Sequence, residues 1–417
     1  MDKSVSAGSI KGTITPPSSK SYAQRAIALS LLTQGRTTLR NLEFCKDTRS
    51  ALKCIEALGA KVEYIDESTI TIEGGLRPTS ATLHVGESGL ATRLFTPIAS
   101  LNPTPITIEG EGTLLYRPMT MMIEPLRQLG VEVKDGGGFL PIEVKGPIHG
   151  GEICVDGSVS SQFITGLLLA LPLAEEDTTL HVSSPVSTPY IDMTIDTARR
   201  FGVEIMHNEG DYTQFFIEGG QQYTATDLSI EGDWSGAASI LVAGAIAGEV
   251  TIKNISTLSK QADTAICHAL ERAGAGLIIE QDSITVSKRK LRAFEFDATN
   301  SPDLFPALAA LAAAAEGESV IIGTERLRHK ESDRAETIQR EYEKLGIEVD
   351  ISENNIMRIR GGEIRPATTY SHNDHRIAMS IAVSALRCEG EVIIEGAECV
   401  EKSYPTFFED LESITRR

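Results

Sequence analysis

Leu58-Gly59-Ala60-Lys61-Val62 ends an amphipathic helix on a glycine and runs on into a short strand, and the same form returns four more times. The copies are Leu129-Gly130-Val131-Glu132-Val133, Phe201-Gly202-Val203-Glu204-Ile205, Ala273-Gly274-Ala275-Gly276-Leu277 and Leu345-Gly346-Ile347-Glu348-Val349. Their glycines fall roughly 72 residues apart, a period that marks a repeated supersecondary unit. A second strand follows each one: Thr69-Ile70-Thr71-Ile72, Pro141-Ile142-Glu143-Val144, Gln214-Phe215-Phe216-Ile217, Ser283-Ile284-Thr285-Val286 and Ile356-Met357-Arg358-Ile359. These pairs read as hairpins. Asp135-Gly136-Gly137-Gly138, inside one of them, suits a hairpin turn better than a nucleotide loop, which needs a helix after it.

A second helix recurs with the same period and is apolar nearly all round, as a helix buried at a domain centre should be. Its six copies begin near Lys20, Gly89, Ser160, Asp233, Asp303 and Asp374. The sixth unit lacks a final strand, and the segment Ser4 to Ile14 is expected to supply it. The fold class is therefore α/β, with six βαβαββ repeats around buried helices, three per domain. One domain is expected over 1–19 plus 231–417 and the other over 20–230. Because the interior helices start at one place in the repeat, their N-termini are expected to concentrate positive potential in a cleft between the domains.

A formal net charge of -19 argues against a nucleic-acid or membrane surface, since phosphate backbones need a basic footprint. Small anions remain open to it if Lys and Arg cluster locally. The six cysteines (Cys45, Cys54, Cys154, Cys267, Cys388, Cys399) have no CxxC spacing and read as reduced structural thiols. No apolar run reaches bilayer length and Met1-Asp2-Lys3-Ser4 lacks a signal-peptide core, so a cytoplasmic protein is expected. Two large domains that bury their own cores suit a monomer. His372 and His375 lack a Cys or Glu at zinc spacing, and neither a metal nor a cofactor is expected.

The informative clusters lie at helix starts. Pro16-Pro17-Ser18-Ser19-Lys20-Ser21-Tyr22-Ala23-Gln24-Arg25 breaks a strand and opens a buried helix with a lysine, hydroxyls and an arginine at the positive end of the helix dipole. Gly86-Glu87-Ser88-Gly89-Leu90-Ala91-Thr92-Arg93 opens the next, and Gly112-Thr113-Leu114-Leu115-Tyr116-Arg117-Pro118 offers an arginine fork suited to carboxylate or phosphate. Ser158-Val159-Ser160-Ser161-Gln162 is a donor-rich cap; Pro185-Val186-Ser187-Thr188-Pro189-Tyr190 is a weaker candidate. Arg326-Leu327-Arg328-His329-Lys330-Glu331-Ser332-Asp333-Arg334 is the strongest local signal. Asn373-Asp374-His375-Arg376 and Glu401-Lys402-Ser403-Tyr404-Pro405 follow it, and together the three suggest an anion site.

The ordered set Lys20-Ser21 with Arg25, Gly89 with Arg93, Arg117-Pro118, Ser160-Ser161-Gln162, Ser187 with Tyr190, Asp303, Lys330 to Arg334, Asp374 to Arg376 and Lys402 resembles the EPSP synthase family of enolpyruvyl transferases. The resemblance implies a two-domain inside-out α/β barrel, domain closure, a place in aromatic amino acid biosynthesis and a glyphosate target. It implies that shikimate 3-phosphate is held by Lys20, Ser21, Arg25, Ser160, Ser161, Gln162, Ser187, Asp303 and Lys330. Phosphoenolpyruvate falls to Lys20, Gly89, Arg117, Gln162, Arg334, Arg376 and Lys402, and proton transfer to Asp303 and Glu331, with Lys20 nearby. Glu87 stands where the family usually has Asn, Leu90 where it has Thr, Arg326 where some members have Asn, and His329 where a small apolar residue is common.

Three other readings compete. The sister transferase that acts on UDP-N-acetylglucosamine carries a cysteine in the loop before its Arg-Pro step, and Gly112 to Pro118 has none. RNA-phosphate cyclases share related repeats, but the acidic charge and the lack of a nucleotide loop oppose them. A receptor that closes over small anions without chemistry gains nothing from Asp303 and Glu331 among its cations.

Overall fold

A computed structural model describes residues 1–208, 210–328 and 330–416, so that His329 lies outside the described residues. Twelve α-helices are present among them: α1 (Lys20–Leu32), α2 (Lys46–Ala57), α3 (Gly89–Ala99), α4 (Thr120–Gln128), α5 (Ser161–Ala170), α6 (Thr188–Arg200), α7 (Trp234–Ala247), α8 (Ile266–Ala273), α9 (Phe305–Ala314), α10 (Arg334–Lys344), α11 (His375–Ala385) and α12 (Phe407–Ile414). The odd-numbered helices are the interior set, buried on nearly every side, and the even-numbered ones are amphipathic. None is long and apolar enough to cross a membrane.

The chain divides into two compact units, Ser18–Ile230 and Met1–Pro17 with Glu231–Arg417, and each has its own apolar core. The first crossing thus comes before Ser18 rather than after Ser19.

Within Ser18–Ile230 there are three four-stranded sheets. The one formed by Thr82–His84, Ile106–Glu109, Ile142–Lys145 and Glu132–Asp135 shows the plan: one parallel pair, then two antiparallel ones ending in the hairpin read from sequence. Helix α3 is the crossover between the parallel strands, which need such a connection because a tight turn only reverses the chain. Gly151–Asp156, Thr178–Ser183, Gln214–Ile217 and Met206–His207 repeat the plan around α5.

The other unit holds a four-stranded, a five-stranded and a three-stranded sheet. In the three-stranded sheet Lys3–Ser6 runs antiparallel to Glu391–Glu395 and takes the place of the missing final strand. Two first strands are exchanged between repeats. Ser9–Ile14, which precedes α1, lies parallel to Gly248–Lys253, whereas Asp227–Ser229, which precedes α7, lies parallel to Arg36–Arg40. Each strand therefore stays in one unit while the helix after it belongs to the other.

Interior helices can be buried whole because their backbone bonds are internal and their side chains apolar. Helix α3 packs along α5, and α7, α9 and α11 pack on one another. Gly166 of α5 lies against the Arg93 carbonyl, where a Cβ has no room. Each fully buried Leu or Ile contributes about 1.5–3 kcal/mol.

Candidate active site

The charged side chains of the six interior helices are Lys20 and Arg25 of α1, Arg93 of α3, and His375 and Arg376 of α11. All lie within the first two turns, and no interior helix carries an acid in its first turn. That arrangement is electrostatically unfavourable by itself, because the N-terminal end of a helix is already positive. It becomes favourable when an anion is bound there. The helix starts are well formed: Ser19, Ser88, Ser160, Asp233 and Asp374 each accept a backbone N–H of their own helix. Asp303 instead sits in a 3-10 turn, Pro302–Leu304, that leads into α9.

In the unit Ser18–Ile230, Lys20 Nζ meets Asp47 Oδ2 of α2 at 3.1 Å. Arg25 is buried and donates to Thr194 Oγ1 at 2.9 Å, to Thr165 Oγ1 at 3.2 Å, and to the main-chain oxygens of Ser21 at 2.8 Å and Tyr190 at 3.2 Å. It has no carboxylate partner among the described residues, and burial pushes its guanidinium down to about 10. A buried cation held only by neutral acceptors is costly, which points to an anion as its missing partner. Ser187, in the left-handed region at φ 54°, is buried at the entry to α6, the helix that supplies Tyr190 and Thr194.

A second group lies beside it. Arg93 Nη1 donates to Gln162 Oε1 at 2.8 Å, joining α3 to the first turn of α5, and Ser161 is buried between Ser160 and Gln162. Ser88 donates to Gln24 Oε1 at 3.3 Å and so ties the start of α3 to α1. The guanidinium of Arg117 rests on Gly89: a Cβ there would stand 2.8 Å from Nη1. Gly89, which the resemblance gives to phosphoenolpyruvate, has a bare Cα that admits the arginine. Leu90 is buried in the core beneath.

In the other unit the expected cations and carboxylates form one network. Arg334, at the start of α10, is buried and donates to Asp303 Oδ1 at 2.7 Å, to Glu331 Oε2 at 2.8 Å, and to Asp374 Oδ2 and Oδ1 at 2.8 and 3.3 Å. Arg376 Nη2 reaches Asp303 Oδ2 at 3.3 Å, Lys330 Nζ reaches Asp303 Oδ1 at 3.4 Å, and Lys402 Nζ lies 3.9 Å from Glu331 Oε1. Burial alone would raise the Asp303 carboxyl, but Arg376, Lys330 and Arg334 hold it well below the usual carboxylate range. Burial likewise opposes the charge on Arg334, yet Asp374, Glu331 and Asp303 raise it well above the ordinary value. Lys330 is lowered by burial, with Asp303 opposing, and Arg326, half-buried, is lowered the same way. Asp303 is thus an ionised carboxylate, its charge held by Arg334, Arg376 and Lys330.

Several residues of these networks were not singled out from sequence. Asp47 and Thr194 lie in exterior helices, where such residues are ordinary. Thr165 breaks an otherwise apolar run in α5, which was a usable signal. Asp374, which the motif Asn373-Asp374-His375-Arg376 leaves without a role, caps α11 and accepts from Arg334 as Asp303 and Glu331 do. Asp263, buried in the 3-10 turn before α8, bonds Ser235 Oγ through Oδ2, while burial and the charge of Asp303 push its carboxyl up to about 7. His372 Nε2 donates to Glu341 Oε1 at 2.8 Å, and no group of three or more His, Cys, Asp or Glu among the described residues is placed to hold a metal.

A family model described as EPSP synthase (3-phosphoshikimate 1-carboxyvinyltransferase) matches residues 5–411. The chain is 35% identical over 416 residues to the 3-phosphoshikimate 1-carboxyvinyltransferase of Clostridium novyi, covering 97% of this chain and 95% of that one. It is 38% identical over 424 residues to the enzyme of the same name from Methanosarcina acetivorans, with 99% and 98% covered. The structure of EPSP synthase from Acinetobacter baumannii superposes with a TM-score of 0.85 at 28% identity, over 99% of this chain and 98% of that one. With the inside-out α/β architecture and the ordered helix-start residues already in place, the chain belongs to the EPSP synthase family.

Proposed function

We propose that the chain transfers the enolpyruvyl group of phosphoenolpyruvate to the 5-hydroxyl of shikimate 3-phosphate, releasing phosphate. Both substrates are anions, which accounts for cations at the positive ends of buried helices in a chain of net charge -19. The observation that carries the chemistry is the ionised Asp303 held by Arg334, Arg376 and Lys330.

In the addition step Asp303 takes the proton of the 5-hydroxyl as its oxygen attacks the enol carbon, and Glu331, with Lys20, delivers a proton to the methylene, which becomes a methyl group. In the elimination step the methyl returns a proton to Glu331, the bond to phosphate breaks, and the proton on Asp303 leaves with the phosphate. Lys20, Ser21, Arg25, Ser160, Ser161, Gln162, Ser187 and Lys330 are read as acceptor-binding. Gly89, Arg117, Gln162, Arg334, Arg376 and Lys402, again with Lys20, are read as donor-binding. Fixed cations aimed at phosphate and carboxylate supply positioning and electrostatic stabilisation. The chain is read as a cytoplasmic monomer, on the strength of its free thiols and the separate core of each unit.

The test is phosphate release by purified protein given phosphoenolpyruvate with shikimate 3-phosphate or with UDP-N-acetylglucosamine. Release with the first acceptor is expected. Release only with the sugar nucleotide would move the activity to the sister transferase, and silence with both would favour the anion receptor.

A further inference from the structure

The loop ahead of α3 is bonded to the turn that carries Arg117. Glu111 N donates to Gly86 O at 2.9 Å, and Thr113 N donates to Glu87 Oε1 at 3.0 Å. Thr113 lies in the 3-10 turn Gly112–Tyr116, which Arg117 N closes by donating to Leu114 O at 3.1 Å. Gly112 has φ +60°, and a Cβ there would fall on the Glu87 carboxylate. At the other end of the turn the Arg117 guanidinium rests on Gly89, with Nη1 2.8 Å and Cζ 3.0 Å from where a Cβ would stand. One short loop, Gly86 to Gly89, therefore holds both the start of the turn and the side chain that follows it.

From these contacts we infer that Glu87 is a positioning residue for the enolpyruvyl donor: its carboxylate anchors the Gly112–Tyr116 turn so that Arg117 is held against the N-terminus of α3. The inference rests on the reading of Arg117 as a donor-binding group. A carboxylate close to a site for a trianionic donor opposes binding by repulsion, so its presence needs a compensating role. Accepting the Thr113 N–H is such a role, and it uses one oxygen rather than the charge. Glutamine offers the same oxygen without the charge; alanine offers neither.

The test is steady-state kinetics of Glu87→Ala, Glu87→Gln, Arg117→Ala and the Glu87→Ala/Arg117→Ala pair, with both substrates varied and thermal unfolding measured in parallel. Loss of one hydrogen bond predicts that Glu87→Ala raises the donor KM about tenfold. Its acceptor KM and unfolding midpoint should stay at wild-type values, and Glu87→Gln should restore the donor KM to wild type or below. Arg117→Ala should raise the donor KM further, and adding Glu87→Ala to it should change little, because the two act through one contact. If Arg117→Ala raises the donor KM and Glu87→Ala does not, the role of Glu87 is overturned while Arg117 keeps its own. Failure of Glu87→Gln to rescue would also overturn it, by making the charge the active property. An Arg117→Ala enzyme with an unchanged donor KM would remove the reading of Arg117 itself.

Discussion

Replacing Arg334 with methionine keeps a long unbranched side chain and removes the guanidinium that three carboxylates share. Arg334 is buried, and its four bonds to Asp303, Glu331 and Asp374 run from 2.7 to 3.3 Å. Asp374 keeps two other partners, the Arg376 N–H and Ser332 Oγ, and Asp303 keeps Lys330 and Arg376. The loss is therefore well short of the sum of four charge-assisted bonds. Removing one member of a buried ion cluster costs about 3–5 kcal/mol, and that is the destabilisation expected at pH 7. The pH dependence has a definite sign. The Asp303 carboxyl lies lower in the folded chain than in the unfolded one, so the stabilisation it draws from Arg334 is complete above about pH 4 and is lost as pH falls through the folded value. Urea unfolding of both proteins at pH 7 and through a series of pH values below about 4 should show a large difference at neutral pH, nearly undiminished at about pH 4, that narrows as pH falls further towards the folded value. A loss below about 1 kcal/mol at pH 7 would refute the claim that Arg334 is the hub of the network. A loss that stayed undiminished down to the lowest pH at which both proteins still fold would refute the electrostatic origin.

Other substitutions separate binding from chemistry. Asp303→Asn should lower kcat by at least about a hundredfold, while calorimetry shows acceptor affinity reduced far less; equal losses would favour the receptor reading. Arg25→Met removes a buried cation that has no carboxylate partner among the described residues, so unfolding stability should be unchanged or higher, yet shikimate 3-phosphate should no longer shift the unfolding midpoint. A retained shift would remove Arg25 from the acceptor site. Asp263→Asn should stabilise the protein at pH 8 by roughly 4 kcal/mol and have little effect near pH 4. The direction follows because the folded carboxyl, raised to about 7, favours folding when protonated, and that contribution fades as pH rises from the unfolded value through 7. A gain that was larger in acid would contradict it.

The architecture was legible because its signals are local. The glycine after each exterior helix, as at Gly130 and Gly202 with φ 79° and 84°, recurs at a fixed spacing, and the strand pairs that follow are hairpins. Interior helices declared themselves by apolar runs that a solvated face does not tolerate. The exchange of Ser9–Ile14 and Asp227–Ser229 between repeats left no such mark, since a strand looks alike whichever parallel neighbour it takes. In the site, residue types at helix starts identified the cations. Their partners are set by long-range packing: Arg334 meets Asp303 31 positions away and Asp374 40 positions away, and Arg25 meets Thr194 across 169. Glu87 was noticed only as a departure from the family; its bond to Thr113 depends on the three-dimensional return of the chain 26 residues later.

The central claim is that Asp303 and Glu331 carry an addition and an elimination through a species whose former methylene is a methyl group. The most direct test is turnover in D2O with mass analysis of the product and of recovered phosphoenolpyruvate. Deuterium should enter the vinyl methylene of both, only when shikimate 3-phosphate is present, and Glu331→Gln should abolish the exchange. Turnover that leaves the methylene free of deuterium would contradict the account.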